Sequence, residues 1–103
     1  MDRVYSIPEI KNKIAPVAKK YNVKKVVLFG SYARNEATEA SDIDFMIEKG
    51  GLVSYRDYVS FYDELLDVYG KEVDLITARS LLKEQGRLLD AVQGEGIVIY
   101  ERT

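Results

Sequence analysis

Lys25-Val26-Val27-Leu28-Phe29-Gly30-Ser31-Tyr32-Ala33-Arg34, followed after a short polar stretch by Ser41-Asp42-Ile43-Asp44-Phe45-Met46-Ile47, is the segment on which the reading of this chain turns. Lys25 to Phe29 is a β-branched and apolar run ended by Gly30, which suits a buried strand better than a five-residue helix. Ile43 to Ile47 reads as a second strand, preceded by polar Thr38 to Asp42 and closed by Gly50-Gly51. The space between them admits one short helix, about Ser31 to Glu36.

Working outward, Ser6 with Glu9 three residues later forms a capping box, and Pro8 falls in a first turn where its missing donor costs little. The spacing of Ile10, Ile14, Val17, Ala18 and Tyr21 predicts a helix from Ile7 to Tyr21, with Asn22 as its stop. On the other side, Tyr55, Tyr58, Tyr62, Leu65, Leu66 and Tyr69 recur at helical spacing from Ser54 to Tyr69, and Gly70 supplies the end. Val73 to Ile76 reads as a third strand, Leu81 to Val92 as a helix interrupted by Gly86, and Ile97 to Tyr100 as a last, edge strand. Strands interleaved with helices predict an α/β (α+β) architecture, a small mixed sheet of about four strands with helices packed on it. Strand order is not legible at this level.

The 103 residues, with no linker, repeat or low-complexity tract, predict one domain over 1–103. With 47% hydrophobic and 31% charged residues the chain has the composition of a globular protein with a core. It has no Cys and no His, which excludes disulfides, Cys/His zinc sites, thiol nucleophiles and imidazole bases. A net charge of -2 gives no basic footprint, so direct nucleic-acid binding is not expected. The start lacks the apolar core of a signal peptide and no apolar run could span a bilayer, so a cytoplasmic location is expected.

Chemistry must then run on carboxylates, hydroxyls, amines or guanidiniums. Gly30-Ser31 after a strand offers backbone N–H groups, a hydroxyl and close backbone approach, all suited to phosphate; alone it also describes an ordinary turn with an N-cap. Asp42 and Asp44 shift the balance: the strand period of two puts both carboxylates on one face, with about 6.6 Å between Cα atoms, while Ile43, Phe45 and Ile47 take the core face. Asp74 places a third carboxylate inside an apolar strand, where burial without a partner would be costly. If the second and third strands are neighbours, the three acids form one cluster suited to a hard divalent cation. An EF-hand loop starting at Asp42 would need Gly where Ile47 stands, which excludes that calcium motif; no Walker loop or dinucleotide fingerprint is present. The tyrosines Tyr55, Tyr58, Tyr62 and Tyr69 read as packing first and as a stacking or partner face second.

Together, Gly30, Ser31, Arg34, Asp42, Asp44 and Asp74 stand in the order found in the minimal nucleotidyltransferases of the DNA polymerase β-like superfamily, and the string GSYARNEATEASDIDFMIE resembles that family's signature. The ending EGIVIYE is also similar. Asn35 departs from the Gly common after Ala-Arg in that family, and Asn is a residue that tolerates left-handed backbone. The resemblance implies a polymerase β-like nucleotidyltransferase fold and transfer of AMP from ATP to an acceptor hydroxyl, with pyrophosphate leaving. It implies Mg²⁺ held by Asp42 and Asp44, with Asp74 completing a second metal site and helping to activate the acceptor hydroxyl, phosphates seated by Gly30 and Ser31, and Arg34 neutralising phosphate charge. It further implies a partner, a HEPN-domain toxin, whose tyrosine would receive the AMP, with this chain acting as antitoxin. The competing expectation is a non-catalytic module that neutralises a partner by covering it. Assembly, with itself or with a partner, stays open.

Overall fold

The computed structural model describes residues 4–52, 54–77 and 96–102. Along the chain these form α1 (Ile7–Lys20), β1 (Lys25–Phe29), α2 (Gly30–Ala33), β2 (Ile43–Glu48), α3 (Tyr55–Tyr69), β3 (Val73–Thr77) and β4 (Ile97–Glu101). The helix expected over Leu81 to Val92 lies outside the described residues.

The local signals act as their chemistry requires. The Ser6 hydroxyl accepts from the Glu9 N–H while the Glu9 carboxylate accepts from the Ser6 N–H, closing the capping box. The Ser54 hydroxyl accepts from the Asp57 N–H at the start of α3, and Gly70, at φ 65°, ends that helix in the left-handed conformation. Pro16 sits inside α1, which removes the N–H that would bond the Asn12 carbonyl. Both residues are exposed, so water can satisfy that carbonyl and the helix continues. The short helix begins at Gly30 rather than Ser31 and ends at Ala33, because Asn35 takes φ 60° and turns the chain back before Glu36.

The strands form one sheet in the order β3-β2-β1-β4. β1 pairs antiparallel with both β2 and β4, whereas β3 runs parallel to β2 and is reached through α3, as a parallel neighbour demands. α1 and α3 lie on one face, and the core between them and the sheet is built from Ile10, Ile14, Val26, Leu28, Ile43, Phe45, Ile47, Phe61, Leu65 and Ile99 with their neighbours. Each large side chain buried there contributes about 1.5–3 kcal/mol. The Tyr69 hydroxyl locks α3 to α1 by donating to the Ile10 carbonyl at 2.7 Å, and the Tyr5 hydroxyl, from the segment before α1, donates to the Tyr69 carbonyl. Burial pushes the Tyr69 hydroxyl pKa far above its ordinary value, so it remains a donor. Among the described residues, no helix is long and apolar enough to cross a membrane.

Candidate active site

The alternation of β2 generates the site. Ile43, Phe45 and Ile47 are fully buried in the core, so Asp44 between them is forced onto the opposite face. The parallel register pairs Asp44 directly with Asp74, and the antiparallel register on the other side pairs Asp44 with Phe29, the residue before Gly30. Neighbouring strands lie about 4.8 Å apart, so the two aspartates are lateral neighbours on one face. Asp44 thus stands between the Gly30-Ser31 bend and Asp74.

Gly30 adopts φ 74°, and a Cβ there would collide with the Asp44 carboxylate, whose Cγ would lie at 3.0 Å. The carboxylate therefore packs directly on the glycine backbone, and both conformation and space exclude a side chain at residue 30. Ser31 follows at the first turn of α2, half-buried.

Asp42 is presented by a self-bonded turn. The Ser41 N–H donates to the Thr38 carbonyl at 3.0 Å and the Thr38 N–H donates to the Ser41 hydroxyl at 2.9 Å, which leaves Asp42 exposed at the entrance to β2. Lys71 ties this loop to the start of β3, donating to the Tyr32 hydroxyl at 2.8 Å and the Glu39 carbonyl at 3.3 Å, with its ammonium 5.2 Å from the Tyr32 ring centroid. Sequence reasoning missed Lys71, since nothing at residue 71 announces a partner 39 positions earlier.

The electrostatics follow from this crowding. The Asp44 carboxyl pKa is raised to about 6, first by burial, then by the charges of Asp74 and Asp42, with Arg34 opposing them. Arg34 is close enough to act on Asp44, and its Nε is held at 2.6 Å by Glu36 just beyond the Asn35 turn. Asp74, read from the sequence as costly if buried, is exposed, because it alternates with buried Val73 and Leu75 along β3.

Among the described residues, the carboxylates of Asp42, Asp44 and Asp74 and the Ser31 hydroxyl offer oxygen donors, which suit a hard cation such as Mg²⁺. Among the described residues no three acidic side chains close into a preformed metal cage. That fits Mg²⁺, which takes one or two carboxylates and completes its shell with water and phosphate oxygens. The repulsion on Asp44 that Arg34 leaves in place is what a divalent cation would remove.

Beyond Asp74, the sheet edge opens into a cleft of about 350 Å³ lined by Tyr55, Tyr58, Val59, Tyr62, Val73, Asp74 and Leu75. The Tyr58 hydroxyl donates to the Leu75 carbonyl at 2.8 Å, and burial followed by the Asp74 charge raises its pKa. The tyrosine series thus divides: Tyr69 is core, Tyr58 and Tyr62 are half-buried, and Tyr55 is 83% exposed.

Similarity to known proteins matches this geometry. The profile of the family described as Polymerase beta, Nucleotidyltransferase covers residues 12–103. A Methanocaldococcus jannaschii protein, provisionally named a protein adenylyltransferase, is 50% identical over 76 residues, which is 74% of this chain and 82% of that protein. The protein adenylyltransferase MntA of Thermococcus cleftensis is 32% identical over 62 residues, 60% of this chain and 63% of that protein. Among solved structures, one described as a minimal nucleotidyltransferase superposes with TM-score 0.72 at 25% identity, covering 90% of this chain and 95% of its own. A toxin-antitoxin complex with AMP-PNP superposes with TM-score 0.72 at 22% identity, covering 90% and 74%, and shares the fold. With the carboxylate pair, the glycine-serine bend and the four-stranded sheet in place, the chain belongs to the polymerase beta nucleotidyltransferase family.

Proposed function

We propose that this chain, acting as one domain over 1–103, transfers AMP from ATP to a hydroxyl of a partner protein, a tyrosine of a HEPN-type toxin, and so serves as its antitoxin in the cytoplasm. The observation that carries the reading is the side-by-side placement of Asp44 and Asp74 next to Gly30-Ser31. Support for the partner comes from a relative named protein adenylyltransferase MntA and from a fold neighbour described as a tri-AMPylated Shewanella oneidensis HEPN toxin in complex with an MNT antitoxin.

In this reading Asp42 and Asp44 would hold Mg²⁺ against the triphosphate, and Asp74 would complete a second metal site from β3. When bound, the ion neutralises triphosphate charge and favours the ionised acceptor oxygen. Gly30 lets the backbone approach the phosphates, and Ser31 donates its hydroxyl to them. Arg34 places a planar, permanently charged donor where negative charge grows on the leaving pyrophosphate. Asp74 accepts the acceptor's hydroxyl proton. The acceptor oxygen then bonds to the α-phosphorus as the bond from that phosphorus to the β-phosphate bridging oxygen breaks. Positioning and charge neutralisation carry such a transfer, so the lack of histidine is no obstacle.

The test is incubation of the chain with ATP labelled in the α-phosphate, Mg²⁺ and a candidate HEPN partner. Label on the partner, lost in Asp42→Ala and Asp44→Ala, is the expected result. Neutralisation by both variants at the wild-type level, without label, would replace this reading with that of a covering module.

A further inference from the structure

The cleft beyond Asp74 has no role in the chemistry above, yet it shares a wall with it. Reading across the sheet from β1, the order is the Gly30-Ser31 bend, Asp44, Asp74 and then the cleft. Arg34 acts at the Asp44 side of this row, whereas among the described residues the cleft's lining contains one carboxylate, Asp74, and no cation. A triphosphate would be repelled there, and a neutral or cationic group would not. The remaining walls are three tyrosine rings and apolar side chains, which favour a flat aromatic guest.

The cleft is also held in shape. Tyr58 is fixed by its bond to the Leu75 carbonyl, so its ring forms a set wall at the edge of β3. That bond shows that Leu75 turns its backbone outward, and the strand period of two places Val73 on the same edge. Tyr55 is 83% exposed at the rim, where it presents a large aromatic surface.

We propose that this cleft, walled by Tyr55, Tyr58 and Tyr62 and ending on Asp74, seats an aromatic hydroxyl side chain of the acceptor protein. The proposal rests on the reading of the chain as a nucleotidyltransferase and assigns the acceptor to the opposite end of the row from the donor nucleotide. Tyr55 and Tyr62 are specificity residues here, stacking on the guest ring, and Asp74 receives its hydroxyl.

The test uses the full chain with Mg²⁺, ATP and N-acetyl-tyrosinamide as acceptor probe. Tyr55→Ala and Tyr62→Ala should each raise the KM for the probe about tenfold and leave the KM for ATP within twofold, with Tyr55→Phe close to wild type. N-acetyl-serinamide, without a ring, should be at least tenfold poorer. A raised KM for ATP instead would assign the cleft to the nucleobase and overturn the proposal, as would unchanged KM values for the probe. A binding measurement separates this from the activity itself. With Asp44→Asn and a non-hydrolysable ATP analogue, the probe should shift the ring NMR signals of Tyr55, Tyr58 and Tyr62. Ring shifts without transfer by the wild type would support the cleft and sink the catalytic reading, while transfer without ring shifts would do the reverse.

Discussion

One strand, β2, carries two opposed physical regimes. On its inner face Ile43, Phe45 and Ile47 are fully buried under α1 and α3, where every contact favours the folded chain. On its outer face Asp44 is half-buried beside two other acids, where burial and charge both work against it. Residues 3.3 Å apart along the strand thus have contrary effects on stability. The core face is the reserve from which the strained face draws, and a site of this kind requires a fold with stability to spare.

The sharpest way to break that contrast is to substitute adjacent residues. Asp44→Asn should lower AMP transfer by about a thousandfold or more, ~4 kcal/mol of transition-state stabilisation, while raising the melting temperature of the metal-free chain. Phe45→Ala should instead destabilise by about 3–5 kcal/mol, read by chemical denaturation. Destabilisation by Asp44→Asn would show that the outer face is structural.

Ligand binding should reverse the strain. Mg²⁺ with ATP at a hundredfold excess over its dissociation constant should stabilise the wild type by about 2.7 kcal/mol, seen as a rise in melting temperature that Asp44→Asn loses. A smaller effect, of about 1–3 kcal/mol, is expected for Gly30→Ala, which meets both a positive φ and the Asp44 carboxylate; activity should fall with it.

The finest distinction is in pH. Because the folded chain raises the Asp44 pKa to about 6, it holds that proton more tightly than the unfolded chain does. The stabilisation is fully present below the ordinary carboxylate value of 3.8 and is lost as pH rises through about 6. Discounted for solvent screening of a half-exposed group, the loss is about 1–2 kcal/mol. Subtracting the Asp44→Asn stability curve from that of the wild type isolates it, and a flat difference would remove the claim of like-charge strain.

Much of this was legible in the sequence because its causes are local. Lys25–Phe29 follows from one apolar run and a glycine, the start of α3 from Ser54, and the two faces of β2 from strict alternation. The pairing of β2 with β3 was not, since register is set by packing between segments some thirty residues apart. The tyrosine stripe misled for a similar reason: helical spacing groups Tyr55 with Tyr69, but only the neighbours of α3 decide that one meets solvent and the other the core. Asp74 is tolerated in an apolar strand because it alternates with buried Val73 and Leu75 and so meets solvent on the outer face, level with Asp44.

The passage from β2 through α3 into β3 acts as a ruler. Fifteen helical residues and the turn after them deliver the second aspartate level with the first, on the same side of the sheet. Removing a single amino acid between Gly70 and Glu72 would slide the returning segment by one notch. Val73 would then point outward and the acid inward, dismantling the site with all three carboxylates still present.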